Sequence, residues 1–340
     1  AVPLATCAFT LAFLLIFLPY TVFHEGISWM IQGVLWISRQ SYGMLTIGHV
    51  PFLWVFLFYF MIGLWIWKKN GQNRHIRISL AYVIMIILIW IPMARRKSLA
   101  FLDVGQGDCF AADTKSGVII FDGGSSSEDQ VGRYRILPYM KYLGYQKIQI
   151  AVISHMDVDH YSGIMELLEM GKIKYLGLPE IPKDEAMKKI IGIAKKRGTT
   201  IFYLSRGRQI TTKDGSFKVL HPQKNSQMEK NAASLVMQGK ILGYRVLLTG
   251  DVEKEGEEEL LSEELERTDI LKAAHHGSKN STSNEFLQKV QPKHTVISCG
   301  KQNRYGHPHS ETIHRLQTYH TKIYRTDQSG AIIFFKRRDG

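Results

Sequence analysis

Cysteine is scarce in this 340-residue chain: Cys7, Cys109 and Cys299 are the only three, and no CxxC pair exists. That excludes a disulfide framework and a cysteine-based zinc knot, and it leaves the redox compartment open. No internal repeat or low-complexity segment occurs. Acidic residues are nearly missing from the first part: residues 1–98 hold 1 of the 30 Asp and Glu but 8 of the 43 Lys and Arg, whereas 99–340 hold 29 and 35. The net charge of +13 therefore divides into +7 and +6, and the strong basicity is mostly charge beside apolar runs. No basic region precedes the first apolar run, which argues against a cleaved signal peptide. The chain also lacks an initiator Met, and the expectation is a fragment that begins inside a longer membrane protein.

Long apolar runs are what the first part does contain. They span about 2–23, 50–67 and 76–93, each near the length of a transmembrane helix. Trp65 and Trp67 before Lys68, and Trp90 before Arg95, suit an interfacial belt. Between the first two runs, Ile27, Met30, Ile31, Val34 and Leu35 recur at helical intervals, as in a helix lying in the interface. The loop 68–77 carries Lys68, Lys69, Arg74 and Arg77, so the positive-inside rule puts it in the cytoplasm and the C-terminal part outside. Arg95, Arg96 and Lys97 argue the other way. The organisation read from composition is a membrane-helical segment, 1–97, followed by a separate domain, 98–340.

From Leu99 onward, short β-rich runs alternate with amphipathic stretches. SLAFLDVG, GVIIFDGG, IQIAVISH, FKVLHP, SLVMQ, YRVLLTGD, DILKAAHH, HTVISCG and AIIFF read as strands. RILPYMKYLGY, SGIMELLEM, DEAMKKIIGIAKKRG, VEKEGEEELLSEELE, SNEFLQKVQ and SETIHRLQTYH read as helices. This order predicts sheets covered by helices, an α/β or α+β sandwich. Carboxylates and imidazoles collect where the strands end: Asp103, Asp108, Asp122, the run from His155 to His160, Asp251, and His275 with His276. Loops at strand ends are where a rigid sheet presents chemistry.

The densest group is SHMDVDHYSG, residues 154–163, which places His155, Asp157, Asp159 and His160 within six positions. On a loop between a strand and a helix, alternate residues can converge on one ion while the Asp159–His160 pair reaches a second. Asp159 also suits the cap of the following helix, and Gly163 would let the chain turn near the site. Imidazole and carboxylate suit Zn, Mn or Fe, and two such ions activate water and clamp an oxyanion.

HMDVDH resembles the HxHxDH signature of the metallo-β-lactamase superfamily, with LLTGD and HHGS resembling its later aspartate and last histidine. With LDVGQGD and FDGG added, the pattern resembles the C-terminal domain of ComEC-type DNA internalisation competence proteins, in which hydrophobic spans of a channel precede such a domain. The resemblance implies a metallo-β-lactamase-like αββα sandwich after transmembrane helices. It implies His155 and Asp157 at a first metal, Asp159 and His160 at a second, Asp251 bridging, and His276 or His275 completing the second. Asp159 and Asp251 would thereby be catalytic, while Asp122 would brace the metal loop or its turn and Asp103, Gln106 and Asp108 the floor of the cleft.

Two departures stand out. Asp157 replaces the usual His, which adds an oxygen ligand and leans the pair of divalent ions toward Mn2+ over Zn2+. The intervening histidine is also unassigned: His221 is the only His between His160 and Asp251, whereas Asn231–Met237 is the stretch where that ligand is expected. Lys279, Arg304 and His307 are phosphate-binding candidates, with Lys301, Tyr305 and His309 beside them. The expected protein is a multi-pass bacterial cell-membrane component of DNA uptake. Its partners would be DNA and other competence uptake proteins, and its outer domain would be a nuclease degrading the strand not imported. A metal-dependent small-molecule hydrolase and a catalytically silent DNA-guiding module are the alternatives.

Overall fold

The computed structural model describes residues 32, 48–50, 52–67, 96–228 and 231–337 of the chain. The chain divides into two compact units, Ala1–Thr46 and Ile47–Gly340. The expected spans 2–23 and 76–93 and the interfacial helix near Ile27 lie outside the described residues, apart from Gln32, which is helical. The run expected at 50–67 contains the helix α1, Phe52–Trp67. Its 16 residues extend about 24 Å, less than the ~30 Å hydrocarbon core of a bilayer. Among the described residues, no helix is long and apolar enough to cross a membrane.

Two seven-stranded sheets dominate the larger unit. The first contains β1 (Ser98–Phe101), β2 (Phe110–Thr114), β3 (Gly117–Phe121), β4 (Ile148–Val152), β5 (Ile173–Pro179), β6 (Thr200–Leu204) and β14 (Ile332–Phe335), in the order β14-β1-β2-β3-β4-β5-β6. The second contains β7 (Gln209–Thr212), β8 (Gly215–His221), β9 (Val236–Ile241), β10 (Tyr244–Leu248), β11 (Ile270–Lys272), β12 (His294–Ile297) and β13 (Lys322–Arg325), in the order β13-β12-β11-β10-β9-β8-β7. Five of these strands, β2, β5, β6, β7 and β13, are absent from the sequence reading. FAADT, QITT and KIYR are too short and too polar to announce themselves, and their pairing partners supply the order that local propensity does not.

Alternation along the strands sorts the side chains into layers. In β1, Leu99 and Phe101 enter the core between the sheets, while Ala100 turns to the outer face. In β3, Ile119 and Phe121 point inward and Val118 and Ile120 outward. Phe217, Val219, Met237, Val246, Leu248 and Val296 fill the same inner layer from the second sheet. Outside the first sheet lie α2 (Leu137–Tyr142), α3 (Val158–Glu169) and α4 (Glu185–Lys196), which bury Met140, Ile164, Leu167, Leu168, Met187 and Ile190. Outside the second lie α5 (Lys254–Leu261), α6 (Asn284–Val290) and α7 (Ser310–Thr318), which bury Leu260, Phe286, Leu287, Val290 and Leu316. The result is the αββα sandwich. The charged stretch expected to be helical from Val252 to Glu266 is helical only over Lys254–Leu261.

Strand direction places the site. β3, β4, β5 and β6 run parallel, as do β10, β11, β12 and β13. Asp122, the segment 153–157, Asp251, His275 and His276 all follow the C-terminal ends of strands in these two sets. Gln106 ties the two sheets together at that edge, because its Oε1 accepts from Gly300 N at 3.0 Å.

Candidate metal centre

The segment from Ile153 to Asp157 leaves β4 and enters α3, and its geometry departs from the sequence reading in two details. Asp157, rather than Asp159, is the N-cap residue, and it makes no side-chain capping bond. Asp159 lies in the first helical turn, where its backbone oxygen accepts from Asp108 N at 3.0 Å. Gly163 sits inside α3 and does not turn the chain; a Cβ there would come within 2.6 Å of the Gly123 oxygen, so it serves close packing. Gly124 in FDGG has a similar role, since a Cβ there would meet the Val158 oxygen at 2.5 Å and the His160 nitrogen at 2.6 Å. The two glycines let the FDGG turn press against the start of α3.

Each histidine is oriented by its Nδ1 atom. His160 Nδ1 donates to Asp122 Oδ2 at 3.0 Å, and Asp122 Oδ1 accepts from Ser154 N at 2.7 Å. Asp122 is fully buried at φ 57°, a left-handed conformation that Asp tolerates. His276 Nδ1 donates to the Ser298 carbonyl at 2.8 Å. His155 Nδ1 lies 3.0 Å from Ser154 Oγ. With Nδ1 engaged, Nε2 becomes the ligand-type atom of each ring.

The Nε2 atoms converge on carboxylates. Asp251 Oδ2 lies 3.2 Å from His160 Nε2 and 3.3 Å from His276 Nε2. Asp159 Oδ2 is 3.5 Å from His276 Nε2, and Asp157 Oδ2 is 3.6 Å from His155 Nε2. All three Nε2 atoms are buried and complete no aligned hydrogen bond. Three orphaned imidazole nitrogens facing three carboxylates form a donor set suited to divalent cations.

Asp108, His160, Asp251 and His276 also each bring a ligand-type atom within 4.8 Å of the other three. Asp108, however, lies on the opposite side of the rings, 3.7 Å from His160 Nδ1 and 3.6 Å from His276 Nδ1. Those nitrogens already have partners, so we take the Nε2 side, with Asp159 in place of Asp108, as the face open to an ion. Asp108 pairs instead with Lys272, a buried residue at the end of β11 that the sequence reading passed over. A lysine closing the apolar strand ILK was the signal.

The remaining candidates separate clearly. His275 and His276 both adopt left-handed backbone, at φ 48° and 52°. The turn aims His276 into the cluster and leaves His275 at its rim, with Nδ1 2.9 Å from Glu253 Oε1 and Nε2 3.8 Å from Asp251 Oδ2. His221 lies outside the cluster: Nε2 donates to the Ala232 carbonyl at 2.7 Å and Nδ1 is 3.2 Å from Glu259 Oε2. Burial lowers its pKa, so it braces the segment 231–235 as a neutral ring. In that segment Ser234, not an imidazole, reaches the site, accepting from Asp251 N at 3.2 Å. Asp103 remains within its own loop, bonded to Gly105 N.

Arg304 is exposed and stacks over the Tyr305 ring at 4.9 Å. His307 is half-buried, its ring 5.4 Å from that of His275 and 6.1 Å from that of His276. The ring of Tyr305 stacks on His307 at 5.7 Å. Lys279 is exposed, and its backbone nitrogen donates to His309 Nδ1 at 3.3 Å.

Charge in the cluster is balanced by protons. Burial drives His276 toward the neutral form, but Asp251, Asp108 and Asp159 outweigh it and hold the imidazolium to about 10. His160 is likewise raised well above its usual range, against burial, chiefly by Asp251 and Asp122. Burial opposes ionisation of Asp159, yet His276 and His160 bring its carboxyl down to about 2. His307 is lowered to about 4 by burial and by the neighbouring imidazoles.

These shifts predict how the metal-free fold responds to pH. The His276 contribution to stability is fully present below its unfolded value of 6.5 and is lost as pH rises through about 10. The Asp159 contribution is present above 3.8 and is lost as pH falls toward 2. Calorimetry of the chelated chain should therefore show a melting temperature that declines from pH 6 to pH 10. Added divalent metal should reverse the slope, because it competes with the same protons. A flat profile in chelator would refute this balance.

Residues 102–301 match the family described as the Metallo-beta-lactamase superfamily. The chain belongs to this superfamily. The family match supports the metallo-β-lactamase fold, and curated relatives support the resemblance to ComEC-type competence proteins. The chain is similar to ComE operon protein 3 of Bacillus subtilis (strain 168), 32% identical over 345 residues, covering 94% of this chain and 44% of that protein. It is similar to competence protein ComA of Neisseria gonorrhoeae, 31% identical, covering 70% of this chain and 32% of that protein. Recombination protein 2 of Haemophilus influenzae (strain ATCC 51907 / DSM 11121 / KW20 / Rd) is 28% identical, covering 78% and 32%. This metallo-β-lactamase chain thus spans less than half the length of each of these relatives.

Proposed function

We propose that the chain is part of a DNA-uptake protein and that its metallo-β-lactamase domain is a divalent-metal-dependent nuclease that degrades the strand not imported. The observation that carries this reading is the convergence of His155, His160 and His276 Nε2 on Asp157, Asp159 and Asp251. The names of the competence relatives supply the direction toward DNA. The apolar runs 2–23, 50–67 and 76–93 would belong to the membrane channel, with the domain on the outer side and other uptake proteins feeding it.

Asp159, His160, Asp251 and His276 would hold one ion, and His155 and Asp157, with Asp251 shared, the other. When bound, divalent ions supply Lewis acidity toward a scissile phosphodiester and acidify water. The weight of carboxylate oxygen favours Mn2+, with Zn2+ as the alternative. Arg304 and Lys279 offer charge to phosphates. His307, neutral at physiological pH, can accept a proton at its unprotonated ring nitrogen from an attacking water. His307→Gln is accordingly expected to lower kcat by about 10^2 with little change in KM. Steady-state cleavage of a short oligonucleotide measures both constants, and an unchanged kcat would remove His307 from the chemistry.

The direct test incubates the purified chain with labelled single- and double-stranded DNA in Mn2+, Zn2+, Mg2+ or chelator. Cutting that needs the ion supports the nuclease. Intact DNA beside bound metal would sink it. One observation favours a second reading, a silent DNA-guiding module: among the described residues, no imidazole from 221 or from 231–237 joins the side of His155. In that case DNA would bind without being cut, and binding would survive loss of Asp159.

A further inference from the structure

We infer that Lys272 is a positioning residue for the metal centre: its ammonium fixes Asp251 through one oxygen, so that the other oxygen alone faces the imidazoles, and Asp108 anchors the ammonium. The inference rests on reading the Nε2 cluster as a metal centre, and it adds to that reading a protein cation built into the floor.

Lys272 closes β11, and its side chain is only 4% exposed. An ammonium has three donors, and Lys272 Nζ meets three oxygens. It reaches the Gly250 carbonyl at 2.9 Å, Asp251 Oδ1 at 3.4 Å, and Asp108 Oδ2 in a close ion pair. The split at Asp251 is the informative feature. Oδ1 faces Lys272, whereas Oδ2 faces His160 Nε2, His276 Nε2 and, at 3.8 Å, His275 Nε2. A carboxylate held in this way can offer an ion a single oxygen and cannot rotate to chelate it with two.

Asp108 completes the device from below. Its oxygens lie on the Nδ1 side of both rings, where Asp122 and the Ser298 carbonyl have already taken the hydrogen bonds. Lys272 offsets the charge of Asp108, whose side-chain oxygens complete no aligned hydrogen bond, so a second cation is not needed there for charge balance. Stability does not account for this arrangement, because apolar groups of similar volume generally replace a buried ion pair at little or no cost. Orientation of Asp251 does account for it, as does keeping the ion on the Nε2 side.

The test uses the full chain in detergent and reads Mn2+ affinity by titration and the bound ion's environment by electron paramagnetic resonance. The paired variant Asp108→Asn with Lys272→Met leaves the net charge of the site unchanged and releases Asp251. We expect it to retain the fold by circular dichroism, to weaken Mn2+ binding by about 10- to 100-fold, and to alter the spectrum. Unchanged affinity and spectrum in the folded double variant would overturn the positioning role and reduce Lys272 to a structural ion pair. Should that variant not fold, Asp108→Asn alone loosens the anchor at constant volume, and unaltered Mn2+ binding there overturns the proposal equally. Absence of any bound ion in the unaltered chain would overturn the metal reading itself, a distinguishable failure.

Discussion

Asp159→Asn is expected to reduce metal-dependent DNA cleavage by about 10^2- to 10^3-fold, the range seen when one preorganised electrostatic group is removed from an active site. Asparagine matches the shape of aspartate, and the backbone bond from Asp108 N to the residue 159 oxygen does not involve the side chain. The fold should therefore persist while the charge facing His276 Nε2 disappears. A second signature follows from the same pair. Without the Asp159 carboxylate, His276 loses one of the groups that raise its pKa, so the alkaline decline in metal-free stability should be smaller and end at lower pH. Cleavage assays on labelled DNA read the first effect and calorimetry in chelator reads the second. Full cleavage by a folded Asp159→Asn chain would remove Asp159 from the metal centre.

Asp122→Asn should weaken metal binding by about 10- to 100-fold without touching any proposed ligand. Asp122 accepts two hydrogen bonds, from Ser154 N and from His160 Nδ1, and both partners are donors. An amide offers one acceptor oxygen and one NH2, so one of those bonds becomes a donor–donor conflict inside a site with no exposed surface. If the ring of His160 yields, its other tautomer places the hydrogen on Nε2, which then cannot bind an ion. The buried mismatch should also destabilise the fold by about 1–3 kcal/mol. Asparagine tolerates the left-handed backbone at this position, so the effect isolates the hydrogen bonds from backbone strain. Mn2+ titration and urea unfolding measure the two consequences. Wild-type affinity in the variant would show that Asp122 does not orient His160.

Parts of the site were legible because strand-end chemistry is local. The run from His155 to His160 does lie between a strand and a helix, β4 and α3, and Asp251 and His276 do follow strands in the second sheet. The choice between His275 and His276 was not legible. The two are adjacent in sequence, and the pair of left-handed residues that aims them apart is favoured by the packing of that turn, since histidine alone does not prefer it. His221 looked available as a ligand because it closes a strand, yet its hydrogen bond goes to the Ala232 carbonyl across a loop whose path the sequence does not declare. Capping misled for a related reason: Asp157 and Asp159 are both suitable cap residues, and the cap falls on Asp157 because its backbone is the last extended one before α3.

The sequence by itself determined the elements that depend on near neighbours. These are the division into an apolar first part and a mixed domain, the alternating strands, the helices with one apolar stripe, and the six-position cluster of ligand-type side chains. Only the tertiary structure decided which nitrogen of each imidazole faces the cluster and which carboxylates meet it there. It alone placed Lys272 between Asp108 and Asp251, residues more than 140 positions apart in the chain. The physical reason is that ligand geometry arises where the ends of two parallel strand sets meet. There, orientation is set by hydrogen bonds between segments remote in sequence, and no local propensity encodes them.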